Sequence, residues 1–299
     1  MPLKPAAARN LASTTKTAPM WEGITPRWIL LLLPWEQVAA GKYRVNRVEE
    51  SAKVSAEHEV ATELPETFTD YYDDAQMIEL TAVEATVQSY ARVEDLYSYP
   101  FNQLQEQLRI AIQGIKERKE YTLFNSPEFG LLNVASPRMR IPTISGPPTP
   151  DDMDNLLSLV WKMPAFFVAH PRAITAFGHQ CNALGLNLDT VEMFGVPFVT
   201  WRGVPIVPSD KIPIAARDTK AKKSAAGETS SILLMRVGEE HQGVVGLHQA
   251  GIGDENFQSL VVRYMGINQQ GVSSYLVTCY FAAAVLAEDA LGVLEGVSL

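Results

Sequence analysis

The chain has 299 residues, 46% of them hydrophobic, a net charge of −9 and two cysteines. This length allows one large domain or two smaller ones with a sizeable core. The acidic balance argues against a nucleic-acid binder, and Cys181 and Cys279, without ligand spacing, read as free thiols in a reducing compartment.

Residues 1–21 carry Lys4, Arg9 and Lys16 and no acid, a basic arm without the apolar core of a signal peptide. The most hydrophobic run, Trp28 to Trp35, has eight residues where a bilayer needs about 20, so it reads as a buried anchor helix and not a membrane span. From Gly41 the pattern turns to strand. Lys42 to Val48 alternates polar with apolar or aromatic side chains, and Val54 to Val60 continues weakly. Turns at Leu64–Glu66 and Tyr71–Asp74 precede a second strand run, Met77 to Val93. Together these make a long hairpin with little core of its own, which needs a neighbour to pack against.

Pro100 to Asn125 is the spine. Phe101, Leu104, Leu108, Ile112, Ile115 and Leu123 fall on a helical stripe, giving a helix about 36 Å long. Lys116, Arg118 and Lys119 gather near its end, where cations complement the helix dipole, and Asn125-Ser126-Pro127 stops it. A Pro- and Gly-rich connection, Ser136 to Pro150, follows. Thr149-Pro150-Asp151-Asp152 then starts a helix with Met153, Leu156, Leu157, Val160 and Trp161 on its buried face. Phe166 to Ala169 reads as a buried strand, and His170-Pro171 opens a helix ended by Gly185. Short strands are expected at Val196–Trp201 and Val204–Val207, a solvated loop at Arg217–Ser231, and strands at Ile232–Val237 and Gly243–Leu247. Leu260–Tyr264 is apolar and β-branched, while Tyr275–Val285 fits a strand or a buried helix.

Chemistry is sparse. The chain holds no G-x-S-x-G elbow, P-loop or H-E-x-x-H, and Gly251-Ile252-Gly253 lacks the third glycine of a dinucleotide turn. His170 and His179 fall on opposite helix faces, and the odd spacing of His241 and His248 separates them across a strand. Glu239-Glu240-His241 is a surface acidic turn, and Lys220, Lys222 and Lys223 a solvated basic loop. Cys181 reads as a buried structural thiol. Asp151, Asp152 and Asp154 fit helix-start electrostatics. The residues point to a structural or binding protein rather than an enzyme.

Several stretches carry a resemblance. TPRWILLLLPWEQVAAGKYRVNRV (25–48), ARVEDLYS (91–98), KERKEYTLFNSPEFGLL (116–132) and PTPDDMDNLLSLVWKMPAFFVAHP (148–171) are four of them. FGVPFVTWRGVPIVPSDKIP (194–213), GEEHQGVVGL (238–247), RYMGINQQGVSSYLVT (263–278) and EDALGVL (288–294) complete the set. In this order the chain is similar to the Hong Kong 97-type phage capsid fold, and most similar to the family 2A encapsulins, shell proteins built on it.

The resemblance implies an α+β chain with an N-terminal arm (1–40), an E-loop (41–90), a P-domain with the spine helix (91–135), an A-domain (136–258) and a return to the P-domain (259–299). It also implies a cytoplasmic T=1 icosahedral shell of about sixty copies that encloses a cysteine desulfurase linked to sulfur metabolism. Pyridoxal phosphate is then expected only in the cargo enzyme, with no cofactor or metal in the shell, no nucleic acid and no membrane span. The 217–231 loop is longer than the family pattern. The segment Gly185–Phe194 is the pore candidate, with Asn187, Leu188, Asp189 and Thr190 as its lining. The alternatives are a phage or prophage major capsid protein and, in another class, a soluble metal-dependent enzyme using Glu239, Glu240 and His241.

Overall fold

The computed structural model describes residues 22–39, 41–48, 70–73, 75–90, 103–216, 227–249 and 260–299. The basic arm, His58, the 54–60 strand, the 64–66 turn, Lys220, Lys222, Lys223 and Gly251–Gly253 lie outside these residues.

The anchor run splits in two. Its helix, α1 (Trp28–Leu32), spans one short turn, entered through Arg27 in a left-handed conformation (φ 54°). Pro34 follows, and Trp35–Val38 forms strand β1. Proline disfavours helix in the residue before it, which is why the expected longer helix does not form. Strands β2 (Lys42–Val45) and β3 (Gln76–Glu79) make the antiparallel hairpin that the alternation foretold, and β4 (Thr81–Tyr90) extends from it.

The spine, α2 (Gln103–Asn125), is 23 residues long, about 34 Å. Its last turn contains no basic residue, so the dipole does not explain Lys119, which instead turns inward and is buried. After the short helix α3 (Leu131–Val134) comes β5 (Arg140–Pro142), then α4 (Pro150–Leu159). The start of α4 is a complete capping box: Thr149 accepts from the Asp152 amide at 3.2 Å, and Asp152 accepts from the Thr149 amide at 2.9 Å. Met153, Leu156 and Val160 are buried as expected, but Trp161 is 70% exposed because the helix has already ended at Leu159.

The remaining elements are β6 (Phe166–Ala169), α5 (Pro171–Ala183), β7 (Asp189–Met193), β8 (Val196–Trp201), β9 (Val204–Pro208) and β10 (Ala215–Ala216). They continue as β11 (Glu228–Met235), β12 (Val244–Gln249), β13 (Leu260–Ile267), β14 (Val272–Val285) and β15 (Leu291–Ser298). Strand β11 begins inside the expected 217–231 loop. Thr229 and Ser230 pair with Ser298 and Val297, and the Ser230 hydroxyl donates to the Pro213 carbonyl. Small polar residues thus pair in a strand, because the ladders to β15 and β10 and one side-chain bond satisfy them.

Two sheets organise the core. One orders its strands β5-β15-β11-β6-β9-β8-β7, and the other β1-β12-β14-β13 with β4 also on β14. The larger sheet is apolar on both faces. Phe167, Ala169, Ile232 and Leu234 face α4 and α5, while Phe166, Val168, Leu233 and Met235 face the core shared with α1, α2 and β14. A sheet buried on both sides reads as continuous hydrophobic runs, as β6 and β11 do. The ambiguous Tyr275–Val285 run is strand, paired with β4, β13 and β12.

Candidate functional site

Glu117 and Glu120 are one helical turn apart on α2, so their carboxylates share a face. Glu117 accepts from the Thr25 amide at 2.8 Å, from Arg27 at 3.1 Å and from the Lys211 ammonium at 2.9 Å. Glu120 accepts from the Ser209 hydroxyl at 3.1 Å and lies 3.3 Å from the Thr25 hydroxyl. Burial pushes Glu117 up, but these donors outweigh it and hold its carboxyl below the usual range. For Glu120 burial dominates, and its pKa is pushed up to about 7. These contacts tie the N-terminal segment and the loop after β9 to the spine. They consume the carboxylates in holding elements together, which is structural chemistry.

The candidate pore segment leaves α5 through Leu184 and Gly185, where φ is +71° and the absence of a Cβ allows the turn. Asn187, Asp189 and Thr190 are exposed, and Leu188 is half-buried against the core under α4 and α5. Asp189 and Thr190 begin β7, whose backbone Asp189 carbonyl accepts from the Thr200 hydroxyl at 3.2 Å. At the far end, Phe194 and Gly195 take positive φ in a two-residue turn to β8. Phe194 stacks on Trp28 with ring centroids 6.0 Å apart, and Phe198 meets Trp28 edge-on at 5.1 Å. The turn end of the hairpin therefore rests on α1, and the Leu184–Thr190 end projects to solvent.

Apolar side chains are exposed elsewhere too, with two groups of them on strands. Val48, Tyr71, Tyr72 and Met77 stand on the β2–β3 hairpin, and Val262, Tyr264, Met265 and Ile267 on β13. Large apolar side chains exposed together on one element are candidates for an interaction surface.

Among the described residues, no group of three or more His, Cys, Asp or Glu side chains is placed to hold a metal ion. Glu239, from the acidic turn, meets the Tyr43 hydroxyl at 3.4 Å. His170 caps α5, its Nδ1 accepting from the Arg172 amide at 3.1 Å. Cys181 and Cys279 are free, and Cys181 is buried, as the sequence suggested; Cys279 is buried as well. Asp154 does more than favour a helix start: it accepts from Trp201 Nε1 at 2.7 Å and from Arg202 at 3.0 Å, and the Arg202 bond is the main cause of its depressed pKa. No helix among the described residues is long and apolar enough to cross a membrane.

The family model for SrpI-like type 2A encapsulin shell proteins matches residues 38–299. The chain belongs to this family. It is 49% identical over 299 residues to the type 2A encapsulin shell protein SrpI of Synechococcus elongatus, covering 99% of this chain and 94% of the relative. The cryo-EM structure of the holo-SrpI encapsulin complex from Synechococcus elongatus PCC 7942 superposes with a TM-score of 0.82 at 46% identity, covering 100% of this chain and 97% of that one. The capsid of a native GTA particle follows at a TM-score of 0.59 and 13% identity, over 97% of each chain, a likeness of fold alone. The α+β fold is accordingly the Hong Kong 97-type capsid fold, and this encapsulin chain is a subunit of a capsid-like shell. The junction around Glu117 and Glu120 was not legible in the sequence, since its partners Thr25 and Ser209 are remote along the chain; only the folded spine brings them together.

Proposed function

We propose that the chain is the self-assembling shell subunit of a closed icosahedral T=1 compartment of about sixty copies in the cytoplasm, enclosing a cysteine desulfurase and serving sulfur metabolism. The observation that carries this reading is the whole-length likeness to the subunit of the holo-SrpI complex. The exposed apolar faces of the β2–β3 hairpin and β13 support it, because a closed shell supplies the neighbours that cover them. On this reading residues 1–40 are the arm, 41–90 the E-loop, 91–135 with 259–299 the P-domain, and 136–258 the A-domain. Asn187, Leu188, Asp189 and Thr190 then belong to a pore. The shell itself is not an enzyme and needs no cofactor, and the pyridoxal phosphate resides in the cargo.

The experiment is purification from the native cell, electron microscopy of the particles, and mass spectrometry of what copurifies. Uniform hollow spheres holding a desulfurase are the expected result. Spheres filled with nucleic acid would replace the compartment by a phage capsid, and small discrete oligomers would remove both readings.

A further inference from the structure

A cavity of about 440 Å³ lies between α1, α2 and the strands β13 and β14. Among the described residues its wall holds three cations, Arg27, Lys116 and Lys119, and no carboxylate. Arg27 is committed to Glu117 at 3.1 Å. Lys119 is only 8% exposed, and its ammonium sits 3.7 Å from the centre of the Trp35 ring and 5.3 Å from that of Phe281. Among the described residues, no hydrogen-bond acceptor is placed on this ammonium. An aromatic face balances part of the charge, but the ammonium has three N–H donors to satisfy. Burial lowers the pKa of Lys119, and nearby Lys116 lowers it further; Lys116 is itself lowered by burial and by Arg27. An anion in the cavity would relieve the cost at the Lys119 ammonium.

The rest of the wall selects the kind of anion. Leu30, Leu31, Ile112, Ile115 and Leu260 line it, and Leu31, 59% exposed, marks the open side, while Ile115, Lys119 and Cys279 lie deep. A mostly apolar lining with a few convergent polar groups is the profile of a site for an organic ligand. We propose that this cavity binds a small organic monocarboxylate, its carboxylate seated at Lys119 and Lys116 and its apolar body running along Leu30, Ile112 and Leu260 towards Leu31. The site is independent of whatever the shell encloses.

The Cys279 thiol on the same wall provides a reporter. The assembled full-length protein is treated with iodoacetamide, and alkylation of Cys279 is followed by peptide mass spectrometry, with buried Cys181, which is off this wall, as internal control. Octanoate is the probe; octylammonium carries the same chain with the opposite charge, and inorganic phosphate carries charge without a chain. Octanoate is expected to slow Cys279 alkylation at least tenfold and to raise the melting temperature saturably, less so as pH rises and Lys119 loses its proton. Lys119→Met is expected to abolish both effects. Equal protection by octylammonium, or by phosphate, overturns the proposal, as does the absence of protection or its survival in Lys119→Met. If that variant does not fold, the three-probe comparison on the unaltered protein decides alone.

Discussion

Trp35 and Gly246 face each other across strands β1 and β12, and a side-chain carbon on Gly246 would stand 2.6 Å from the indole Cε3. The same ring carries Lys119 over its face and donates its N–H to the Leu30 carbonyl at 3.1 Å. Gly246 is thus the contact that sets the indole's position. Gly246→Ala is expected to destabilise the subunit by about 1–3 kcal/mol, since overpacking a filled core forces side chains off their rotamers. Denaturant unfolding with tryptophan fluorescence measures it; an unchanged midpoint would mean that the ring shifts freely.

The buried Glu120 makes stability depend on pH. Its folded pKa of about 7 lies above its ordinary value of 4.5, so the folded state holds the proton more tightly than the unfolded chain. The corresponding stability is full below about pH 4.5 and is lost as pH rises through about 7. Ionisation there also leaves the single Thr25 hydroxyl proton between two carboxylates. Glu120→Gln is expected to be more stable than the unaltered protein at pH 8, by up to about 3 kcal/mol, with the advantage shrinking as pH falls and vanishing only below about pH 4.5. Thermal melts of both proteins across this range test it, and parallel curves would refute it.

Asp152 closes the turn before α4 from both sides. One oxygen accepts from the Ile144 amide at 2.9 Å and the other from the Thr149 amide and hydroxyl, at 2.9 and 2.6 Å. Asp152→Ala removes the acceptor of these partly buried donors and is expected to cost about 1–2 kcal/mol. Asp152→Asn, which keeps an acceptor oxygen, is expected to cost less. Equilibrium unfolding of the two variants gives the comparison.

The pore reading predicts a division of roles within one short segment. Asp189 is exposed and charged, so Asp189→Ala is expected to raise the passage of small anions relative to cations through sealed particles. Leu188 packs against the core, so Leu188→Ala is expected to leave that ratio alone and lower stability by about 1–2 kcal/mol. Entrapped-dye quenching by ions of either sign reads the ratio, and an unaltered ratio in Asp189→Ala removes that residue from the pore.

Local chemistry made much of the fold readable. Thr149-Pro150-Asp151-Asp152 announces α4 because a capping box needs only neighbours, and the apolar stripe announces the spine. What failed depended on remote partners. The Trp28–Trp35 run is apolar enough for a longer helix, but Pro34 ends it after Leu32 and pairing with β12 makes Trp35 the first residue of a strand. Thr229 and Ser230 carry no strand signal of their own and are recruited by β15. Tyr275–Val285 could not be assigned from periodicity because it is covered on both faces and its pairings with β4, β12 and β13 decide it. The lining of the Lys119 cavity was invisible for the same reason.

Strand β15 lies between β5 and β11, with Leu291, Val293, Leu294 and Val297 buried. A chain ending at Ala290 would leave an empty slot in that sheet, with β5 and the side of β11 away from β6 lacking their β15 ladders. The subunit's core closes only when the residues after 290 emerge, so a nascent chain stalled short of them presents open strand edges instead of a finished surface.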